Sequence, residues 1–257
     1  MDYTFNDLKN KVILITGGSG LLGTQFSESF LRLGSKLILL DLKKPSFSHQ
    51  NLLFIKCNVS NESELIKAFK LIVKKFKKVD VLVNNACKNY SPKKIKKNKY
   101  ELENFDHKMW DSDLMVGLKG AFLTTKIFGG HMAKNGGGKI INISSDLGLI
   151  APDQRIYKPS NFKKPITYSV IKHGIIGLTK YSATYWLKKN IQCNAIAPGG
   201  VKNNQSKKFI RNLSKLIPLG RMANQNEYNF LLLFLASKHS SYLNGSVIVA
   251  DGGRSIW

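Results

Sequence analysis

The chain has 257 residues, of which 40 are Lys or Arg and 16 are Asp or Glu, so its formal net charge is +24. Hydrophobic residues make up 43% of the sequence and charged residues 22%, which excludes an intrinsically disordered chain and suits one large α/β domain. The apolar runs are far shorter than the roughly 20 residues that cross a bilayer, and residues 1–7 lack the pattern of a signal peptide. Three cysteines without metal-ligand spacing, Cys57, Cys87 and Cys193, predict reduced thiols in a cytoplasmic protein.

The positive charge is carried almost wholly by lysine, since only five of the basic residues are Arg. Phosphate and base recognition favour the planar Arg side chain, so the composition favours a lysine-rich genome over a nucleic-acid partner. The densest basic run, residues 88–99, is flanked by Tyr90 and Tyr100 and is compatible with a nucleic-acid or membrane-surface patch. We favour a solvated insertion loop for this run, and we expect neither nucleic acid nor membrane as partner.

Strand and helix patterns alternate along the chain. Apolar runs typical of buried parallel strands lie at residues 11–16, 36–41, 52–55, 79–83, 139–143, 191–196 and 246–249. Helical patterns cover residues 21–33, 61–76, 105–132, 166–188 and 226–237. This alternation predicts an α/β fold, a Rossmann-like doubly wound parallel sheet, in a single domain over residues 1–257. That domain is expected to carry a basic insertion near residues 88–104 and a polar insertion near residues 146–165.

A glycine-rich turn follows the first predicted strand and opens a helix, with the sequence Thr16-Gly17-Gly18-Ser19-Gly20-Leu21-Leu22-Gly23. In this context the turn predicts a cradle for the pyrophosphate of a dinucleotide, because the backbone amides of the helix start attract anions. Gly17 permits the tight turn, Gly20 lets the backbone approach the pyrophosphate, and Gly23 allows close packing of helix and strand.

An aspartate, Asp41, ends the second predicted strand, where a carboxylate meets the ribose hydroxyls of a bound dinucleotide. Such a carboxylate accepts both hydroxyls of NAD and repels the 2′-phosphate of NADP. The sequence therefore predicts NAD as the cofactor. NADP is the less favoured alternative, which Lys43 and Lys44 keep open.

Tyr168 and Lys172 lie four residues apart on one face of a predicted helix, within side-chain reach of each other. A phenol has an ordinary pKa of about 10 and is a poor base near neutral pH. A nearby ammonium and an oxidised nicotinamide stabilise the phenolate and lower that pKa. The pair predicts proton transfer at a substrate hydroxyl.

Together these motifs resemble those of the short-chain dehydrogenase/reductase family, over nearly the full length of the chain. The matching elements are the glycine turn, Asn84-Asn85-Ala86, Ser145, the Tyr168/Lys172 pair, Pro198-Gly199 and Asp251-Gly252-Gly253. The resemblance implies that Tyr168 is the general acid/base and that Lys172 holds the nicotinamide ribose. It also implies that Ser145, or less favourably Ser144, binds the substrate oxygen.

The same resemblance implies a set of cofactor-binding residues and a homo-oligomer, either a dimer or a tetramer. The set comprises Gly17, Ser19, Gly20, Leu22, Asp41, Asn58, Val59, Asn84, Ala86, Tyr168, Lys172, Pro198, Gly199 and Val201. The five histidines have no ligand spacing, so no metal is expected.

Several positions depart from the family pattern. The glycine spacing is that of the family's extended branch, whereas the length and the other motifs are those of its classical branch. Cys87 replaces the usual Gly after Asn-Asn-Ala, and Gly117 stands where the family has an Asn credited with a proton relay. Three alternatives are open for the missing amide: a water molecule takes its position, another group of the protein relays the proton, or turnover is poor.

The interval between Ser145 and Tyr168 is long and polar, which predicts a substrate with many hydroxyls or a phosphate. Candidate substrate-binding residues there are Asp146, Asp153, Gln154 and Arg155. Residues 145–174 also resemble a subgroup linked to bacterial surface-glycan and flagellin modification, which implies a small-molecule substrate of the sugar class. The leading hypothesis is thus an NAD-dependent sugar oxidoreductase. The alternatives are a cofactor-binding regulator or scaffold with weak catalysis, and a basic nucleic-acid or membrane-surface binder.

Overall fold

Seven strands form one parallel sheet in the computed structural model, which describes residues 4–90, 100–158 and 162–257. They are β1 (Val12–Thr16), β2 (Lys36–Asp41), β3 (Leu52–Lys56), β4 (Val81–Asn84), β5 (Gly138–Ile143), β6 (Ile191–Pro198) and β7 (Val247–Ala250). Their order is β3-β2-β1-β4-β5-β6-β7, and each neighbouring pair is parallel. The predicted doubly wound sheet is confirmed, and its order reverses between β1 and β4.

Helices pack on both faces of this sheet. They are α1 (Leu21–Arg32), α2 (Glu62–Phe76), α3 (His107–Leu114), α4 (Gly120–Thr124), α5 (Gly130–Met132), α6 (Ile166–Tyr185), α7 (Lys207–Ser214) and α8 (Asn229–Ala236). Two π-helical turns, Met115–Lys119 and Thr125–Gly129, join α3, α4 and α5 into the long helical region that the sequence predicts. Within the described ranges, no helix is long and apolar enough to cross a membrane.

Two hydrophobic cores lie on opposite faces of the sheet, which explains why the strands are apolar without interruption. On β1, Ile13 and Ile15 face the core that includes Phe26 of α1 and Leu232 of α8. Leu14, between them, faces the other core, which includes residues of α2, α4 and α5. Polar side chains, among them Thr16, Asp41 and Asn84, stand at the carboxyl ends of β1, β2 and β4.

The two predicted insertions adjoin each other. Residues 91–99, which hold most of the basic run, lie outside the described residues. The Tyr90 hydroxyl donates to Asp113 over 2.5 Å, and Tyr100 is buried against the ring of Phe162 with centroids 5.6 Å apart. Tyr100 is therefore buried, and Tyr90 is half-buried with its hydroxyl bonded to Asp113, which disfavours stacking of either ring on nucleic-acid bases.

Helix α7 is an element that the sequence analysis did not predict. The side chain of Ser206 accepts a hydrogen bond from the backbone N–H of Phe209 and starts the helix. Its apolar face joins a small separate cluster with Ile156, Leu213, Ile217 and Met222. This cluster lies beside the carboxyl edge of the sheet, so α7 forms one wall of the cavity there.

Candidate active site

A cavity of about 660 Å³ opens at the carboxyl edge of the sheet, where the strand order reverses. Ligands of open α/β sheets bind in this position, and the volume is that of a small-molecule site. Thirteen of the fourteen predicted cofactor residues line it: Gly17, Ser19, Gly20, Leu22, Asp41, Asn58, Val59, Ala86, Tyr168, Lys172, Pro198, Gly199 and Val201. The catalytic candidate Ser145 lines it as well.

The glycine turn has the geometry of an anion cradle. Gly17 has a φ of +65°, and a Cβ there would lie 2.8 Å from the Cα of Ala86. A Cβ on Gly23 would lie 2.2 Å from the carbonyl oxygen of Gly17, so this helix position packs directly on the turn. No side chain caps α1 at Gly20, and the first amides of the helix therefore remain available to a pyrophosphate.

Asp41 fits the ribose of a dinucleotide. Its Oδ2 accepts the backbone N–H of Ser19 over 3.0 Å, and its Oδ1 accepts that of Lys43 over 3.0 Å. These bonds fix the carboxylate against the glycine turn. Because each carboxylate oxygen can accept two hydrogen bonds, both keep a lone pair for a ribose hydroxyl.

Asn84 is the predicted cofactor residue that the structure does not bring to the cavity. Its side chain is buried, accepts from Thr124 over 2.6 Å and donates to Thr125 and Asn142. It therefore ties β4 to β5 and to the helix behind them. The neighbouring Asn85 lines the cavity instead, and its Nδ2 donates to the carbonyl oxygens of Thr16 and Gly17.

Helix α6 and the end of β5 bring the three catalytic candidates together. Lys172 is buried with its Nζ 5.5 Å from the centre of the Tyr168 ring, and this Nζ donates to the carbonyl of Ile143 over 2.7 Å. The hydroxyl of Ser144 donates to the carbonyl of Lys172, so Ser144 is engaged in holding α6 to β5. Ser145 is then the hydroxyl that faces Tyr168.

Burial is the main influence on the Tyr168 phenol and raises its pKa well above the usual range. The nearby Cys87 acts in the same direction, whereas a hydrogen bond with Ser145 lowers the pKa. The protein without cofactor therefore keeps Tyr168 as a neutral phenol. Positive charge brought by an oxidised nicotinamide would favour the phenolate.

A buried ion pair between Asp146 and Arg254 holds the Ser145 hydroxyl in position. The Ser145 hydroxyl donates to Oδ1 of Asp146 over 2.7 Å, and Oδ2 of Asp146 accepts from Arg254 over 2.6 Å. Both ionic side chains are less than a tenth exposed. The Ser145 oxygen also accepts the backbone N–H of Leu147 over 3.2 Å, so this hydroxyl is fixed on the turn that follows β5.

Comparisons with known proteins extend over almost the whole chain. A family model described as enoyl-(acyl carrier protein) reductase matches residues 21–255. The crystal structure of a short chain dehydrogenase from Leptospira borgpetersenii with bound NAD+ superposes with a TM-score of 0.90 at 32% identity, covering 100% of this chain and 97% of that one. The chain belongs to the short-chain dehydrogenase/reductase family.

Two curated members of the family align with nearly all of this chain. An NAD-dependent glycerol dehydrogenase from Listeria innocua is 29% identical, covering 99% of this chain and 97% of the relative. A 2-dehydro-3-deoxy-D-gluconate 5-dehydrogenase from Bacillus subtilis is 30% identical, covering 96% and 95%. As a short-chain dehydrogenase/reductase, the protein is an NAD(P)-dependent oxidoreductase that acts on CH–OH groups of small molecules.

Gly117, which stands where the family pattern has Asn, is packed closely against a side chain of α6. It is buried in the first π-helical turn, and a Cβ on it would lie 2.8 Å from Cγ2 of Ile171. Ile171 immediately precedes Lys172 on α6. The apolar side chain of Ile171 thus occupies the space into which a side chain at position 117 would extend.

The polar interval before Tyr168 holds the four predicted substrate-binding residues. Asp153 and Arg155 pair with each other over 2.9 Å, and neither lines the cavity. Gln154 hydrogen-bonds the backbone of Lys164, with Oε1 accepting its N–H over 2.8 Å. Asp146 does line the cavity, but both of its oxygens are already engaged. Asp153, Gln154 and Arg155 thus lie outside the cavity lining, whereas Asp146 lines the cavity and its Oδ2, which accepts one hydrogen bond, keeps a second lone pair.

The substrate end of the cavity is lined by residues that sequence reasoning missed. Its mainly apolar side chains come from α7, from the turn at residues 154–157 and from the segment after α7: Phe209, Leu213, Ile156, Tyr157 and Met222. Its polar side chains come from three loops: Lys88, Asn89, Lys164 and Arg254. A signal existed for Arg254, because arginine is scarce in this chain and this one adjoins Asp251-Gly252-Gly253. Lys164 could not be singled out from the sequence in this way, because lysine is abundant throughout the chain.

Proposed function

We propose that this protein is an NAD(H)-dependent oxidoreductase that interconverts a hydroxyl and a carbonyl on a sugar or a sugar derivative. The observation that carries the proposal is the position of Tyr168, with Ser145 and Lys172, in the same cavity as the glycine turn and Asp41. A phenol that exchanges a proton beside a dinucleotide site is suited to oxidation of an alcohol and to its reverse.

The choice of NAD is supported by the carboxylate of Asp41. It is held on the glycine turn by two backbone N–H groups, and a 2′-phosphate placed there would meet a fixed negative charge. The Listeria relative is named as an NAD-dependent enzyme, which favours the same choice. Lys43 contributes its backbone N–H to this arrangement.

The residues would divide the chemistry between them. When bound, the nicotinamide supplies or accepts the hydride. In the oxidation direction Tyr168 takes the proton of the substrate hydroxyl as the C–H hydride leaves, and in reduction it returns that proton to the carbonyl oxygen. Lys172 would hold the nicotinamide ribose. Ser145, fixed by Asp146, positions the substrate oxygen at Tyr168.

A polyhydroxylated substrate is supported by the polar groups at the substrate end of the cavity. Lys88, Asn89 and Lys164 supply donors and acceptors there. The two curated relatives are named for glycerol and for a deoxygluconate derivative. The resemblance of residues 145–174 to glycan-modifying proteins favours a role in bacterial surface-glycan or flagellin modification, with a sugar or sugar phosphate as substrate.

The test follows NADH absorbance over a panel of polyols, aldoses, sugar acids and sugar phosphates. We expect kcat/KM for NAD+ to exceed that for NADP+ by about tenfold or more, because Asp41 repels the extra phosphate. Asp41→Ser should remove most of this preference. Tyr168→Phe, as control, should lower kcat by about a hundredfold or more while NAD+ still binds. Equal use of both cofactors by the unaltered protein, or full activity of Tyr168→Phe, would refute the proposal.

A second function is favoured by one observation, the filling of the Gly117 site by Ile171. A member of the family without the usual amide would serve as a cofactor-binding regulator or scaffold if its turnover were negligible. The same panel separates the two functions. Calorimetric binding of NAD+ without turnover of any substrate would favour the second.

A further inference from the structure

Lys164 lies against the acid/base tyrosine, immediately before α6. Its Nζ is 3.6 Å from the centre of the Tyr168 ring and donates to Oδ1 of Asn89 over 3.0 Å. The side chain lines the cavity. An ammonium over the face of a ring whose hydroxyl meets the reacting oxygen is close enough to touch the same small molecule.

The backbone of Lys164 is held from the polar interval. Gln154 accepts its N–H over 2.8 Å and donates to its carbonyl over 3.3 Å. This reciprocal pair fixes the Cα, while the four-carbon stem still lets the ammonium adjust to a ligand. The role of Gln154 is therefore to position Lys164 at the mouth of the substrate site.

Within residues 4–90, 100–158 and 162–257, the positive charge of Lys164 has no carboxylate within the salt-bridge distance of 4 Å. Residues 91–99 and 159–161 contain no Asp or Glu. Of the other cations that line the cavity near Tyr168, Lys88 lies 3.7 Å from Asp113 and Arg254 lies 2.6 Å from Asp146, while Lys172 donates to the carbonyl of Ile143. Lys164 is thus a cation of this wall without a carboxylate partner, as far as the structure describes it.

Burial adds a reason for an anion to bind there. It lowers the pKa of the Lys164 ammonium to about 8, because a charge removed from water lacks solvation. The charged or titratable groups that face it are Cys87, Asp146, Lys172, Arg254 and Tyr168. Below pH 8 the group is mainly an ammonium, and a negative group of a ligand would restore the lost stabilisation.

We propose that Lys164 determines substrate specificity by binding a carboxylate or phosphate of the substrate next to the reacting carbon. The substrate is then an anionic sugar derivative, of the sugar-acid or sugar-phosphate class. The inference rests on the proposed function, because it places the reacting carbon at Tyr168. It goes further by selecting the charged members of the sugar class over the neutral ones.

The first experiment compares matched neutral and anionic compounds: glycerol, glycerate and glycerol 3-phosphate, and likewise glucose, gluconate and glucose 6-phosphate. We expect the unaltered protein to favour an anion over its neutral partner by about tenfold or more in kcat/KM. Lys164→Met should reduce this ratio by about tenfold, and Lys164→Arg should keep part of it. Comparison of the carboxylates (glycerate and gluconate) with the phosphates (glycerol 3-phosphate and glucose 6-phosphate) tells which anion is recognised.

Lys163→Met is the matched control, since it removes the same charge from the adjacent residue, which does not line the cavity. It should leave the ratio unchanged. The ratio should also fall as pH rises through 8, because the ammonium is lost while the titration of Tyr168 affects both substrates equally. Equal losses for neutral and anionic substrates in Lys164→Met, or no anion preference in the unaltered protein, would overturn the inference.

A binding measurement separates this inference from the proposed function. Glycerate and inorganic phosphate are titrated calorimetrically into the NAD+-saturated protein and into both variants. Weaker binding by about tenfold in Lys164→Met alone supports the anion site even where no compound is turned over. Unchanged affinity in Lys164→Met overturns it, whatever the turnover assay shows.

Discussion

Asp146 shows at the scale of single residues how a buried charge is held beside the reacting groups. Its two oxygens accept from Ser145 and from Arg254, and both ionic side chains are almost fully buried. A buried carboxylate without a partner is strongly destabilising, whereas replacing both partners together is far less costly. The pair therefore couples the stability of the fold to the position of the Ser145 hydroxyl.

Arg254→Met should lower the free energy of unfolding by about 3 to 5 kcal/mol, because Asp146 loses its counter-charge in a dry site. The double variant Asp146→Asn/Arg254→Met should recover part of that loss. Urea unfolding measures both effects, and kcat should fall with Arg254→Met because Ser145 loses its support. Arg155→Met is the control, since Arg155 is exposed and solvent screens its pair with Asp153, so unfolding should change little. Equal losses in the two arginine variants would contradict the expectation.

Residue roles were predictable from sequence where a motif and its context coincide. The glycine turn, Asp41, Tyr168 and Lys172 lie where strand ends and one helix face place them. Asn84 and Asn85 are adjacent and chemically identical, so which of them faces the cavity depends on the register of β4, which composition does not encode. Substrate contact by Asp153, Gln154 and Arg155 stays a prediction. In the structure Asp153 pairs with Arg155, and Gln154 hydrogen-bonds the backbone of Lys164.

At the scale of secondary-structure elements, the π-helical turn Met115–Lys119 brings Gly117 against α6. A Cβ on Gly117 would meet Ile171 at 2.8 Å, so the close approach of the two helices depends on glycine. The position next to Lys172 makes this contact relevant to the site as well as to packing.

Gly117→Asn should therefore not improve the enzyme, although it restores the residue usual in the family. We expect a loss of about 1 to 3 kcal/mol in unfolding free energy and a lower kcat, because the added side chain displaces Ile171 and with it Lys172. Thermal unfolding and NADH absorbance measure the two effects. Gly130→Ala is the control, because no atom lies within 4 Å of its added Cβ. A more active Gly117→Asn variant would show that the missing amide limits turnover.

Among the elements, strands were easier to predict than short helices. Every predicted strand is present, since burial on both faces gives each one a continuous apolar run. Helix α7 escaped prediction because its eight residues lie in a lysine-rich segment, and its stability comes from packing on Ile156 and Met222 in distant parts of the chain. Its Ser206 cap was the local signal available.

At the scale of the whole molecule, the chain has a net charge of +24, and among the described residues no carboxylate lies within 4 Å of the Lys164 ammonium at the substrate end of the cavity. Long-range attraction raises the rate at which oppositely charged ligands arrive and is weakened by salt. This global effect differs from the contact made by Lys164, because it depends on many lysines together.

Raising ionic strength from about 0.05 to about 0.5 M should lower kcat/KM for an anionic substrate by about threefold or more and leave a neutral one nearly unchanged. Lys164→Met should keep most of this salt dependence, since it removes one charge among many. NADH absorbance at saturating NAD+ measures both. If kcat/KM depended on ionic strength in the same way for neutral and anionic substrates, the excess of lysine would have no role in attracting substrate and would reflect a compositional bias of the genome.

The 108 positions that separate Asp146 from Arg254 also affect how the protein acquires activity during synthesis. The glycine turn and Asp41 belong to β1, β2 and their connections, which are complete early in the growing chain. Ser145, Tyr168 and Lys172 emerge next, yet Asp146 stays unneutralised until residue 254 leaves the ribosome and β7 joins the sheet. The predicted cofactor site also uses Lys172, Pro198 and Val201, so a chain that ended before residue 254 would contain every predicted cofactor residue and still leave Asp146 without its counter-charge.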